Sequence, residues 1–152
     1  MNRFHRSYCS SDLWAKTVRE TLVPWVLNDV DLGDEALEVG PGPGLTTFEI
    51  RERVARLTTL EVDAAAAAVL ERNLDGSNVT VVQGDGTQMP FQDGAFTGAI
   101  CCTMLHHIPS PQLQDRLLGT SCPFIHLCLS RRGTARTPRP PGDRAGASPR
   151  QD

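Results

Sequence analysis

The stretch that decides the fold is Leu37–Thr47, with the sequence LEVGPGPGLTT. Three of five consecutive residues are glycines, which let a backbone approach a ligand closely. The interleaved prolines, Pro41 and Pro43, have no amide hydrogen and cannot donate a hydrogen bond to that ligand. The stretch therefore predicts a stiff turn, poor in amide donors, directly after an acidic residue, Glu38.

Strand patterns alternate with helix patterns around this turn. The four segments with strand patterns are residues 34–39, 56–62, 78–84 and 95–105. Helix-forming segments precede the first strand, separate the first three and follow the fourth, and strands alternate with helices over about 20–25 residues, which is typical of parallel βαβ units. We therefore predict an α/β fold with an open, mostly parallel, doubly wound sheet of about four strands.

Charge divides the chain into two unlike segments. Residues 1–118 carry nine Lys or Arg and sixteen Asp or Glu, a net charge of −7, whereas residues 119–152 carry six against two, a net charge of +4. The second segment is rich in arginine, proline and glycine and has almost no helix or strand periodicity. We predict an N-terminal arm at residues 1–11, a folded domain at 12–118 and a disordered tail at 119–152.

The sequence carries no clear signal for membrane insertion, export or metal binding. No run approaches the roughly 18 apolar residues of a membrane span, and the N-terminus has no apolar stretch after its charges. We therefore predict a cytoplasmic protein. The five cysteines form no CxxC pair and have no histidine at metal-ligand spacing, so reduced thiols and no metal site are expected.

Acidic residues stand at the ends of the first three predicted strands. Glu38, Glu61 and Asp85 are 23 and 24 residues apart, and ligands of open α/β sheets bind outside the carboxyl ends of the strands. The spacing predicts three carboxylates along one rim. A nicotinamide dinucleotide would need glycine at the position of Leu45. A nucleoside that carries positive charge, such as S-adenosylmethionine, suits an acidic rim better.

Four motifs in order carry a family resemblance: LEVGPGPG, LEVD, VVQGDGTQMPF and FTGAICCTMLHHI. Over about residues 12–118 the chain resembles the class I, Rossmann-like S-adenosylmethionine-dependent methyltransferases. The fourth motif departs from the family pattern, since Thr97 replaces an acid. The resemblance implies cofactor binding by Glu38, Gly40, Gly42, Gly44, Glu61, Asp85 and Gly86, with Asp63 as the alternative to Glu61.

The catalytic residue stays unknown at this point. The neighbouring His106 and His107 have side chains suited to act as a base or hydrogen-bond donor near neutral pH. The resemblance, however, implies only a common strand-to-helix junction there. Catalysis is expected to depend mainly on orienting the acceptor for in-line attack on the sulfonium methyl group.

The methyl acceptor is expected to be a small molecule. Nucleic acid is not predicted, because the arginine-rich tail lacks interleaved aromatic residues. Two alternatives stay open, a non-catalytic remnant that retains at most cofactor binding and a nicotinamide-dependent oxidoreductase.

The resemblance also implies a seven-stranded sheet, of which residues 119–152 show no continuation. The change of composition at residue 119 indicates a truncated C-terminus or an altered reading frame. The fourth strand, at residues 95–105, would then be an uncovered apolar edge through which copies could associate.

Overall fold

The computed structural model describes residues 11–28, 30–102, 104–119 and 125–128. Its centre is a five-stranded parallel sheet in the spatial order β3-β2-β1-β4-β5. The strands are β1 Glu35–Val39, β2 Arg56–Glu61, β3 Val79–Gln83, β4 Gly98–Cys102 and β5 Ile125–Cys128. The predicted open, doubly wound α/β fold is therefore confirmed.

Helices precede and connect the strands. They are α1 Asp12–Thr17, α2 Val23–Val26, α3 Leu45–Ile50, α4 Ala64–Asn73 and α5 Pro111–Gly119. A π-helical turn at Val18–Leu22 joins α1 to α2, so the helical path continues through Pro24. Ser11 caps α1 by accepting a hydrogen bond from the Trp14 amide, and Asp63 caps α4 by accepting from the amides of Ala65 and Ala66.

Apolar side chains cover both faces of the sheet. One cluster packs the first helices and α3 against the sheet and includes Val18, Val23, Ile50, Leu57 and Ile100. The other packs α5 against the opposite face and includes Leu37, Val39, Leu60, Ile108 and Leu117. Cys101 and Cys102 are both buried, one in each cluster. Side chains on both faces of β1 and β4 are thus held in a packed interior.

The fifth strand changes two predictions. Residues 125–128 pair in parallel with β4, in the register Ala99↔Ile125 to Cys102↔Cys128. The sheet therefore has one strand more than the four recognised in the sequence, and that strand lies inside the predicted tail. The expected self-association through an exposed β4 edge is wrong, because β4 has a strand on each side. Residues 129–152 lie outside the described part of the chain.

Thr97 lies at the amino end of β4, opposite to the strand ends that face a ligand. Its hydroxyl contacts the Leu32 and Glu35 carbonyl oxygens at 2.7 and 3.0 Å and lies 3.0 Å from the Glu35 amide. Thr97 therefore ties the segment before β1 to the start of β4. The departure from the family pattern at Thr97 therefore affects the contact between the segment before β1 and the start of β4, and it does not affect the ligand-facing rim.

Candidate cofactor site at the glycine turn

The winding of the sheet reverses between β1 and β4. β1 pairs with β2 on one side and with β4 on the other, so the chain leaves the carboxyl ends of β1 and β4 toward opposite faces. In open parallel sheets the crevice at this switch point is where ligands bind. The glycine turn, residues 40–44, follows β1 at this point and leads into α3.

All three glycines of the turn have left-handed backbone geometry. The φ angles are +71° at Gly40, +54° at Gly42 and +84° at Gly44, a region that side chains with a Cβ rarely adopt. A Cβ at Gly44 would lie 2.4 Å from Leu70 Cδ1, and one at Gly40 would lie 2.8 Å from Met104 Cγ. A Cβ at Gly42 would meet no atom within 4 Å. The turn is therefore packed on its two sides and open above Gly42.

The amide groups of the turn are already used within the protein. The Gly40 amide donates to the Leu60 carbonyl at 2.9 Å, and the Gly44 amide donates to the Pro41 carbonyl at 3.0 Å. The Gly42 amide donates to Glu61 Oε2 at 3.0 Å. Since the two prolines have no amide hydrogen, no N–H of residues 40–44 is left for a phosphate. This arrangement disfavours a pyrophosphate-bearing cofactor such as a nicotinamide dinucleotide.

Glu38 lies beneath the turn and is 1% exposed. Its carboxylate accepts hydrogen bonds from the hydroxyls of Thr46 and Thr47, in the first turn of α3. Burial raises the pKa of Glu38 to about 7, the two hydroxyls oppose that rise, and the Glu61 carboxylate adds to it. The expectation that Glu38 lines the rim therefore needs correction: Glu38 supports the turn from below.

Replacing Glu38 with glutamine is expected to alter the pH dependence of folding. The folded protein binds a proton at Glu38 more tightly than the unfolded chain does, so wild-type stability falls as pH rises from about 4.5 to about 7. A shift of this size corresponds to on the order of 3 kcal/mol. Urea unfolding of both proteins between pH 5 and pH 8 checks this. Equal pH dependence in wild type and Glu38→Gln would show that Glu38 does not titrate in this range.

Glu61 connects the end of β2 to the glycine turn. Its Oε2 accepts from the Gly42 amide, and its Oε1 accepts from the Asp63 amide at 2.9 Å. The side chain is 7% exposed and lies close enough to Glu38 for the two carboxylates to repel. Two acids at one turn favour a ligand with positive charge, because a cation relieves their repulsion.

Asp63, the alternative acid of strand β2, has a different role in the structure. Its Oδ1 accepts from the amides of Ala65 at 2.9 Å and Ala66 at 3.0 Å. These bonds satisfy the first amides of α4, as an N-cap residue does. Asp63 therefore caps α4, whereas Glu61 bonds to the glycine turn.

Asp85 and Gly86 both follow β3, but their surroundings differ. Asp85 is exposed, and its Oδ1 accepts from the Thr87 amide at 2.8 Å and the Thr87 hydroxyl at 2.9 Å. These hydrogen bonds lower the pKa of Asp85, so it stays ionised. A Cβ at Gly86 would lie 2.8 Å from Val39 Cγ1. Gly86 thus has a packing role, and its contact with cofactor stays a prediction.

The structure brings together Glu61, Gly42 and the buried Glu38, with Asp85 on the next strand along the same edge. Sequence reasoning missed Thr46 and Thr47 as partners of Glu38. The signal for them was present as a pair of threonines in the first turn of the helix that follows the glycines. No group of three or more histidine, cysteine, aspartate or glutamate side chains within the described ranges is placed to hold a metal ion.

A sequence profile described as "Methyltransferase domain" matches residues 36–119, more than half of the chain and all of the site above. The chain belongs to this family. The predicted resemblance to S-adenosylmethionine-dependent methyltransferases is thereby confirmed, and S-adenosylmethionine is the cofactor of that family. None of the helices in the described ranges is long and apolar enough to cross a membrane.

Curated relatives correct the predicted partners. The chain is 41% identical over 59 residues to ribosomal RNA small subunit methyltransferase A of Deinococcus radiodurans, covering 39% of this chain and 20% of that protein. It is 28% identical over 142 residues to the probable enzyme of the same name from Methanothermobacter thermautotrophicus, covering 93% and 50%. The chain thus spans half or less of these relatives. Relatives named for RNA overturn the expectation of a small-molecule acceptor and no nucleic acid.

Solved structures agree with the fold. A S-adenosylmethionine-dependent methyltransferase from Aquifex aeolicus superposes with a TM-score of 0.65 at 16% identity, covering 84% of this chain and 71% of that one. At this identity the likeness establishes the fold alone.

Proposed function

We propose that this chain binds S-adenosylmethionine across the carboxyl ends of β1, β2 and β3 and transfers its methyl group to RNA. The observation that carries the cofactor part is the use of every amide of the glycine turn within the protein, together with open space above Gly42. Such a turn suits a ligand arm that has no phosphate and carries positive charge. S-adenosylmethionine has a sulfonium and an ammonium group.

The residues have distinct roles in this proposal. Gly42 leaves room for the methionine arm of the cofactor, and Glu61 accepts hydrogen bonds from the ribose hydroxyls. Asp85, ionised and exposed, accepts from the adenine amino group. Glu38 holds the turn in place through Thr46 and Thr47. The cofactor supplies an activated methyl group, and the protein's contribution is to hold the acceptor in line with it.

RNA as the acceptor is supported by the names of the curated relatives. We assign the contacts with RNA phosphates on the basis of charge. Residues 1–118 have a net charge of −7 and would repel RNA, so these contacts must come from the rest of the chain. The positive charge that an RNA backbone requires is supplied by the arginine-rich segment, residues 131–150, which contains six arginines and one aspartate.

Replacing the six arginines of the arginine-rich segment by glutamine is expected to weaken RNA binding and leave cofactor binding unchanged. If all six contact phosphates of single-stranded RNA, the slope of log affinity against log salt becomes shallower by about 4. Fluorescence anisotropy with labelled small-subunit ribosomal RNA fragments at several salt concentrations measures this slope. The matched control is Arg53→Gln/Arg72→Gln, at exposed positions before the amino ends of β2 and β3. An equal slope in wild type and the six-residue variant would contradict the assignment.

Methyl transfer itself is tested with isotope-labelled S-adenosylmethionine. The folded chain is incubated with in vitro transcribed small-subunit ribosomal RNA, with DNA of the same sequence, and with neither. Label incorporated into the RNA alone supports the proposal. Cofactor binding with no label in any acceptor would favour the alternative, a domain that retains cofactor binding without turnover.

A further inference from the structure

The turn after β4 presents two imidazoles at the switch point of the sheet. His106 and His107 belong to a short 3₁₀ turn, Leu105–His107, that begins three residues after β4 ends at Cys102. Both side chains are exposed, and their ring centroids are 4.0 Å apart with the planes tilted by 41°. The cofactor roles proposed above use neither residue.

This turn is next to the glycine turn. Met104, directly before it, fills the space beside Gly40, where a Cβ would lie 2.8 Å from Met104 Cγ and 2.9 Å from Met104 Cβ. Since Gly40 follows β1 and Met104 follows β4, the Leu105–His107 turn stands on the second side of the crevice whose first side is the glycine turn. That is the side left for the acceptor when the cofactor lies over β1, β2 and β3.

The backbone that carries the imidazoles is fixed in place. The His107 amide donates to the Met104 carbonyl at 2.8 Å, and the Ile108 amide donates to the Leu105 carbonyl at 3.1 Å. From α5, Gln114 Nε2 donates to the Ile108 carbonyl at 3.1 Å and the Leu105 carbonyl at 3.4 Å. Ile108 is buried in the cluster beneath. A turn anchored on its inner side while its polar rings face outward is suited to present those rings to a ligand.

We propose that the imidazole pair His106–His107 contacts the acceptor and takes its proton during methyl transfer, an inference that rests on the proposed function. An acceptor nitrogen that carries hydrogen attacks the methyl carbon, the nitrogen–carbon bond forms, and the carbon–sulfur bond breaks with its electron pair remaining on sulfur. The nitrogen then loses its proton to an imidazole nitrogen, from which it passes to water. Imidazole is the side chain suited to this transfer near neutral pH.

The test compares wild type with His106→Ala/His107→Ala, using labelled S-adenosylmethionine and in vitro transcribed small-subunit ribosomal RNA. We expect the affinity for S-adenosylhomocysteine to stay within about threefold of wild type and kcat to fall about 100-fold, the scale of general base catalysis. Free imidazole added to the double variant should restore part of kcat. The side chains of His106 and His107 are exposed, so their positions are accessible to imidazole from solution. Gln112→Asn, at an exposed position of α5, is the control and should match wild type.

Several outcomes overturn the inference. These are a kcat within threefold of wild type, a loss confined to KM, and a loss of kcat that imidazole does not relieve. If the double variant fails to unfold cooperatively, the two single variants are measured by the same criteria. A wild-type chain that binds S-adenosylhomocysteine but labels no RNA would overturn the RNA proposal and this inference together. Unchanged turnover in the variants overturns the inference alone.

Discussion

Gly42→Val is expected to abolish measurable binding of S-adenosylmethionine while the protein still folds. The space above Gly42 is open in the structure, and the proposed methionine arm of the cofactor would occupy it. The valine side chain takes that space without meeting protein atoms at its Cβ. Because φ at Gly42 is +54°, the substitution also costs roughly 1–2 kcal/mol of folding free energy. Isothermal titration calorimetry and urea unfolding measure the two effects separately.

A matched control separates backbone strain from ligand exclusion. Gly76 has φ of +72° and nothing within 4 Å of a Cβ, as at Gly42, but it lies between α4 and β3 at the other end of the sheet. Gly76→Val should therefore lose similar folding free energy and bind cofactor normally. Pro43→Ala should leave binding within a few-fold, since Pro43 is exposed and only stiffens the turn. Normal binding of S-adenosylmethionine by Gly42→Val would show that the glycine turn has only a structural role.

Glu61→Ala is expected to weaken cofactor binding by about 1.5–3 kcal/mol, or roughly 10- to 150-fold. The substitution removes the proposed acceptor of the ribose hydroxyls and also frees the Gly42 amide, which Glu61 holds at 3.0 Å. Calorimetric titration with S-adenosylhomocysteine gives the affinity of each protein.

Asp63→Ala is the matched control for Glu61. It should leave affinity within a few-fold and lower folding stability by about 1 kcal/mol, because Asp63 caps α4. The reverse pattern, with affinity lost in Asp63→Ala and retained in Glu61→Ala, would show that the ribose is bound by the other acid.

The first four strands were predictable from the sequence because their apolar and β-branched runs are long and because clear helix signals lie between β1 and β2 and between β2 and β3. Strand β5 was not, since Ile125–Cys128 is a short run inside a segment rich in arginine, proline and glycine. Its place depends on pairing with β4, a contact between distant parts of the chain that local pattern does not report.

The positions of the candidate site residues along the sheet edge were predictable from the sequence, but the burial of their side chains was not. Sequence spacing placed Glu38, Glu61 and Asp85 at successive strand ends, and the structure places them on one edge of the sheet. The spacing does not say how deeply each side chain is buried, so Glu38 was expected on the rim and lies beneath the turn. The hydrogen bond from the Gly42 amide to Glu61 joins residues 19 positions apart and depends on the pairing of β1 with β2.

The expectation of a small-molecule acceptor and no nucleic acid, which the names of the curated relatives contradict, arose for a different reason. The four motifs describe the cofactor side of the fold, and none of them specifies what receives the methyl group. The arginine-rich segment was set aside because it lacks aromatic residues between its charges. The phosphate contacts proposed for this segment need positive charge and do not need aromatic residues.

The most direct test of cofactor binding at the glycine turn is calorimetric titration of S-adenosylhomocysteine and of reduced nicotinamide dinucleotide into the same folded sample at pH 7.5. Folding is established first by cooperative urea unfolding. We expect saturable binding of S-adenosylhomocysteine at one site per chain and weaker or no binding of the dinucleotide, since no amide of the glycine turn is left for a pyrophosphate. A folded sample that binds no S-adenosylhomocysteine, or that binds the dinucleotide more tightly, would contradict this expectation.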